Sequence, residues 1–118
     1  MLRESAQDRG QPVVTLPAEI DASNSGQIGQ QLKAAVAPGL RMLIADMTFT
    51  TFIDSSGIRA VVQVCQLARR SGTELRLVVP STHVRRTLAI TGVDQLLPIY
   101  PSVGAALTAS PDGQHADQ

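Results

Sequence analysis

Phe52-Ile53-Asp54-Ser55-Ser56-Gly57 lies where a buried strand gives way to an amphipathic helix. Upstream runs the apolar stretch Met42-Leu43-Ile44-Ala45-Asp46-Met47. Downstream, Ile58, Val61, Val62 and Cys65 recur at spacings of three and four, the period of a helix with one apolar face. Two hydroxyls and a carboxylate therefore gather at a helix start, where unpaired backbone N–H groups favour negative charge. A phosphate suits such a place, either as part of a ligand or as a group attached to a serine.

The rest of the chain repeats this alternation. Val13–Leu16 reads as a strand that Pro17 interrupts, at an edge, a bulge or a strand end. Asp21, Ser23, Asn24 and Ser25 offer caps for a helix near 25–36, whose apolar set is Ile28, Leu32, Ala35 and Val36, and Pro38-Gly39 ends it. Residues 41–46 are apolar with little alternation, as in a strand covered on both faces. Ser71-Gly72 stops the helix that Asp54 begins. A strand at 74–79 follows, closed by Pro80, then a helix capped by Ser81 or Thr82 that runs to about Thr91, with Gly92 as its stop. A short strand at 97–100 and a helical turn or two at 102–107 complete the pattern. Strands alternating with helices of about three turns specify an α/β domain with right-handed crossovers between parallel strands.

Composition narrows the functions open to this fold. The chain has 118 residues, 43% of them hydrophobic, with no Trp and two Phe, so one domain with an aliphatic core is expected. Ten basic and ten acidic residues cancel. Neither nucleic acid nor an anionic membrane is recruited by such a balance. The only basic doublets, Arg69-Arg70 and Arg85-Arg86, read as solvated helix faces or ends. The single cysteine, Cys65, excludes an internal disulfide and falls on an apolar stripe, where a thiol behaves as a small hydrophobe. No stretch approaches the ~18 apolar residues of a membrane span. The N-terminus lacks a signal-peptide core, and a cytoplasmic location is expected.

Autonomous catalysis finds little support. Ser55 or Ser56 with His83 and an aspartate can be drawn as a triad, but Asp-Ser-Ser-Gly is not the Gly-x-Ser-x-Gly elbow that exposes a nucleophile. His83 reads more simply as a first-turn helix residue. One Cys and two His give no ligand cluster for a metal. The only lysine, Lys33, falls inside a helix and not in a phosphate-binding loop, and no glycine-rich fingerprint follows the first strand. No metal and no cofactor is expected. The residues themselves leave two readings of the motif. Asp54 or Ser55 caps the helix for ~1 kcal/mol, or Ser56 is a modifiable site that a side-chain-free Gly57 lets another protein approach. Phe52 and Ile53 face the core by default.

Three blocks resemble the STAS domain family, and within it the single-domain anti-sigma factor antagonists. Leu16-Pro17-Ala18-Glu19-Ile20-Asp21 is similar to the family's Leu-x-Gly-Glu-hydrophobic-Asp strand end. Residues 52–57 resemble its phosphorylation loop, and residues 88–100 its closing helix, turn and strand. The resemblance covers about 13–107. It implies an α/β fold: a single STAS domain at 11–109, with a mixed, mostly parallel β-sheet, packed helices and an antiparallel N-terminal edge strand. Residues 1–10 are then a flexible segment or a short edge strand, and 110–118 a disordered tail.

The resemblance also implies partner switching, as in stress response and sporulation. The unmodified antagonist binds an anti-sigma factor that is a serine kinase, which frees a sigma factor and so regulates transcription. Phosphorylation at Ser56 ends the binding, and a serine phosphatase reverses it. Partner contacts are implied at Asp21, Ser23, Asn24, Thr50, Phe52, Asp54, Ser55, Gly57, Ile58 and Arg59. The chain is then a substrate and binding module, not an enzyme. The alternative within the family is a scaffold or accessory subunit of a stress-signalling or lipid-transport complex. One departure stands out: Ala18 replaces the family glycine, which is a strain if the backbone there needs a positive φ.

Overall fold

Strand Met42–Asp46 sits at the centre of the sheet because both of its faces are apolar: Leu43 and Ala45 point one way, Ile44 the other, and all three are fully buried. In the computed structural model, which describes residues 6–8 and 10–110, it is the fourth strand, β4. Before it come β1 (Ala6–Asp8), β2 (Gln11–Thr15), β3 (Glu19–Ile20) and helix α1 (Ser25–Ala35). After it come β5 (Phe52–Ile53), α2 (Ser55–Arg70), β6 (Glu74–Val78) and α3 (Thr82–Thr91). A 3-10 turn (Val93–Gln95), β7 (Ile99–Tyr100) and α4 (Val103–Thr108) close the chain. The expected disordered tail falls, from 111 on, outside the described residues.

The main sheet has the order β1-β2-β4-β6-β7. β1 is antiparallel to β2 at the edge, and the other neighbours run parallel. A crossover connection returns each strand to the same end, so the loops that leave the strands cluster there. One face of the sheet carries Val14, Leu43, Ala45, Leu75 and Leu77. Ile28 and Leu32 of α1, Val61, Val64 and Ala68 of α2, and Val84 and Leu88 of α3 cover it. At about 25 cal/mol per Å² of apolar surface, this layer is the dominant source of stability. Cys65 lies in it, buried, and burial pushes its thiol pKa up against a smaller pull from Arg69.

The opposite face, with Val13, Ile44, Val78 and Tyr100, packs under Ala106 of α4. Arg76 also points to this side, opposite Ile44 in register, and is 1% exposed. Its guanidinium pairs with Glu74 at 2.7 Å and donates to the carbonyls of Ala106, of Ala109 (3.0 Å) and of Ser110 (3.3 Å). It also lies 5.5 Å from the centre of the Tyr100 ring. A buried cation thus satisfies the last carbonyls of α4, where the helix dipole is negative.

Several expected boundaries shift for identifiable reasons. The last strand shrinks to Ile99–Tyr100, since Pro98 has no N–H to give the ladder and offers only its carbonyl, to Leu77 N–H at 3.1 Å. Strand β6 ends at Val78, although Val79 N–H still bonds Tyr100 O at 2.8 Å. The β3 and β5 pair, only two residues each, forms a separate two-stranded sheet that periodicity did not reveal. Ser81 caps α3 through Val84 N–H, and Gly92 ends that helix in the left-handed conformation. Arg85 and Arg86 lie exposed on α3, and Arg69 and Arg70 in the last turn of α2.

Candidate functional site

The small β3–β5 sheet builds the site. Glu19 pairs with Phe52 and Ile20 with Ile53, in parallel, so both strands deliver their next residue to the same place. Those residues are Asp21 and Asp54, and Asp54 N–H donates to Ile20 O at 3.0 Å. Two further links hold the strand-bearing segments together. Thr50 Oγ1 donates to Pro17 O at 2.8 Å, and Thr51 N–H to Ala18 O at 2.8 Å. The Ala18 carbonyl, at the position of the family glycine, also accepts from the Thr51 hydroxyl at 3.2 Å.

Asp54 adopts extended backbone and caps α2: its Oδ1 accepts Ser56 N–H at 2.8 Å and Gly57 N–H at 3.2 Å. Ser55 is exposed and Ser56 half-buried in the first turn. Gly57 is buried, and a Cβ built on it would stand 2.6 Å from Ile20 Cγ2 and 2.7 Å from Ile53 Cγ1. Gly57 thus clears space for the β3–β5 pair inside the protein, a reason for glycine that the sequence did not reveal.

The Asp21 turn is held by its own side chains. Asp21 Oδ1 accepts from the Ser23 hydroxyl at 2.6 Å and the Ser23 amide at 2.9 Å. The hydroxyl first, then the amide, holds the Asp21 carboxyl below the usual carboxylate range. Asn24 does not cap α1 with its side chain, as one reading of the sequence allowed. Its Oδ1 accepts Asp21 N–H at 2.9 Å and its Nδ2 donates to Glu19 O at 2.8 Å, which fastens the turn back onto β3.

The expected partner-facing residues divide accordingly. Asp21, Ser23, Asn24, Phe52, Asp54, Ser55, Ile58 and Arg59 are exposed or half-buried around Ser56, although Ile58 also packs on the core. Thr50 is a correction: it is 1% exposed, and its hydroxyl is committed to Pro17, because the loop must satisfy that carbonyl internally. Phe52 overturns the core-facing default, since only its neighbour Ile53 turns inward. Phe49, in the loop between β4 and β5, is 63% exposed as well. His83, the imagined base of a triad, sits exposed in the first turn of α3. No grouping of three or more His, Cys, Asp or Glu suited to a metal occurs among the described residues.

Sequence reading missed a cleft of about 370 Å³ between α1 and α2. Gly26, Gly29 and Lys33 line it from α1, and Ser56, Arg59 and Gln63 from α2. The spacings 26-29-33 and 56-59-63 are those of one helix face, a signal that could have paired the two stripes.

Residues 4–106 match the STAS domain model of known protein families. The chain belongs to the STAS domain family. This STAS domain is 30% identical over 100 residues to a Bordetella bronchiseptica protein described as an anti-sigma factor antagonist, BtrV, covering 85% of this chain and 86% of that one. It is 35% identical over 99 residues to a Mycobacterium tuberculosis protein described as an anti-anti-sigma factor, covering 79% of this chain and 66% of that one. The crystal structure of an anti-sigma factor antagonist from Mycobacterium paratuberculosis superposes with a TM-score of 0.75 at 28% identity, covering 92% and 91% of the two chains. No helix among the described residues is long and apolar enough to cross a membrane.

Proposed function

We propose that this STAS domain is an anti-sigma factor antagonist that binds an anti-sigma factor serine kinase and is released when Ser56 is phosphorylated. The observation that carries the reading is the convergence of Asp21 and Asp54 at the parallel ends of β3 and β5, with Ser56 in the first turn of α2 beside them. The names of the relatives support the general role.

The chain supplies the acceptor and the surface. Ser56 Oγ attacks the terminal phosphorus of ATP held by the kinase, its proton passes to a base of the kinase, and ADP leaves. A phosphoserine brings about −1.5 to −2 charges at neutral pH. Asp54 has already taken the Ser56 and Gly57 amides, so the added charge meets the carboxylates of Asp54 and Asp21 at the contact surface. Phe52 supplies apolar area beside it. A phosphatase of serine phosphoesters returns the site to its binding form.

The test pairs the purified chain with the kinase captured by it from its native host. Incubation with Mg-ATP should add one phosphoryl group, located on Ser56 by mass spectrometry. Ser56→Ala should keep binding and Ser56→Asp should lose it by at least ~10-fold. Modification elsewhere, or equal affinity before and after modification, would sink the reading.

A further inference from the structure

The kinase reading leaves open where the phosphoryl group rests once it is attached, and the following inference rests on that reading. The first-turn amides of α2 are poor candidates, because Asp54 Oδ1 already accepts from Ser56 N–H and Gly57 N–H. On its other side Ser56 lines the α1–α2 cleft. The walls there are low, since Gly26 and Gly29 have no side chains, and a Cβ on Gly29 would come within 3.7 Å of Ala60 Cβ. Two cations enter this cleft, Lys33 from α1 and Arg59 from α2. Among the described residues the recorded ion pair is that of Arg76 with Glu74, and neither Lys33 nor Arg59 has an anionic partner. Gln30 and Gln63 add amide donors to the lining.

We propose that the α1–α2 cleft receives the phosphoryl group of modified Ser56 and that Arg59 and Lys33 hold it there, one from each helix. Arg59 lies three residues after Ser56 on the same helix, about 5–6 Å away between Cβ atoms. A guanidinium at that reach donates two parallel hydrogen bonds to phosphate oxygens. Lys33 adds a point charge across the cleft, which turns a same-helix contact into a bridge between α1 and α2. The facing charges are thus Lys33 and Arg59 in favour, with Asp54 at the helix start and Asp21 in the β3–α1 turn opposed. Both cations are exposed in the unmodified protein, so their removal leaves the core untouched.

The experiment installs phosphoserine at position 56 during translation, so that it needs no kinase, and follows the second ionisation by 31P NMR. Free phosphoserine titrates near ~6. The expected midpoint of the wild-type background lies about half a unit or more below that of the Lys33→Gln/Arg59→Gln double variant, and the gap narrows in 1 M salt. Each single variant should recover part of the difference. Phosphoserine placed instead at position 71, at the far end of α2, should titrate alike in both backgrounds. Coincident curves at position 56 overturn the proposal. So does a response to Arg59→Gln with none to Lys33→Gln, which would leave the phosphoryl group on its own helix. A flat titration together with a working kinase reaction sinks the cleft alone, and a failed kinase reaction with a shifted titration sinks the kinase reading alone.

Discussion

Gly57 shows how one position can be held by two opposing demands. As a residue inside a helix it costs ~1 kcal/mol relative to alanine, yet alanine would drive a methyl into Ile20 and Ile53. Both contacts fall on β-branched, buried side chains whose χ1 has little freedom. Overpacking of this kind costs about 1–3 kcal/mol, which exceeds the propensity gained. Gly57→Ala should therefore lower stability by about 1 kcal/mol, and at most ~2, in urea unfolding, and equal or greater stability would show that the β3–β5 pair yields freely. Because β3 and β5 carry Asp21 and Asp54, the variant should also disturb the site it sits beneath.

Helix α4 has six residues, far too few to persist alone. Its stability comes from Ala106 packing on the second sheet face and from Arg76, which binds its closing carbonyls. Arg76→Met keeps the apolar stem but leaves those carbonyls and Glu74 without a donor. A loss of about 2 kcal/mol is expected, with faster hydrogen exchange in α4 than in α2; a uniform change would show that α4 is not separately held. Tyr100, the chain's single tyrosine, reports on the same layer. Burial pushes its pKa up, with Arg76 pulling down and Glu74 pushing up by less. The neutral phenol is the form the fold prefers, so its contribution is fully present below the unfolded value of about 10 and is lost as pH rises through the native value. Absorbance titration should show phenolate forming above the free-tyrosine range, and a midpoint at or below that range would contradict the burial.

Across the whole molecule, the layer between the sheet and helices α1 to α3 must open as a unit, because every element in it shares the same cluster of side chains. Cys65 tests this. It is 4% exposed and its thiol is held in the neutral form. Its reaction with an aromatic disulfide reagent should run on the order of 10²-fold or more slower than in the unfolded chain, and should speed up with urea as global unfolding does. Reaction at the unfolded rate in the absence of denaturant would place the thiol at the surface.

Local patterning was enough to set out much of this protein. The apolar run at 42–46, the 3.6-residue period after Gly57, and the Pro and Gly stops determined the α/β order, because burial on both faces and capping are short-range demands written in consecutive residues. The Asp54 cap and the Ser56 candidate were legible for the same reason. What only the tertiary structure decided were contacts between residues distant in sequence. Thr50 turned inward because it had to satisfy Pro17, 33 positions away, and Phe52 turned outward because Ile53 took the core side of a two-residue strand. Arg76 became a buried cap for a helix 30 positions later, since the sheet placed it under carbonyls that only a donor could satisfy. Lys33 and Arg59, 26 positions apart, came to line one cleft because α1 packs beside α2. A chain pattern specifies the order of elements and their apolar faces, and packing alone specifies how loop residues turn and what each face meets.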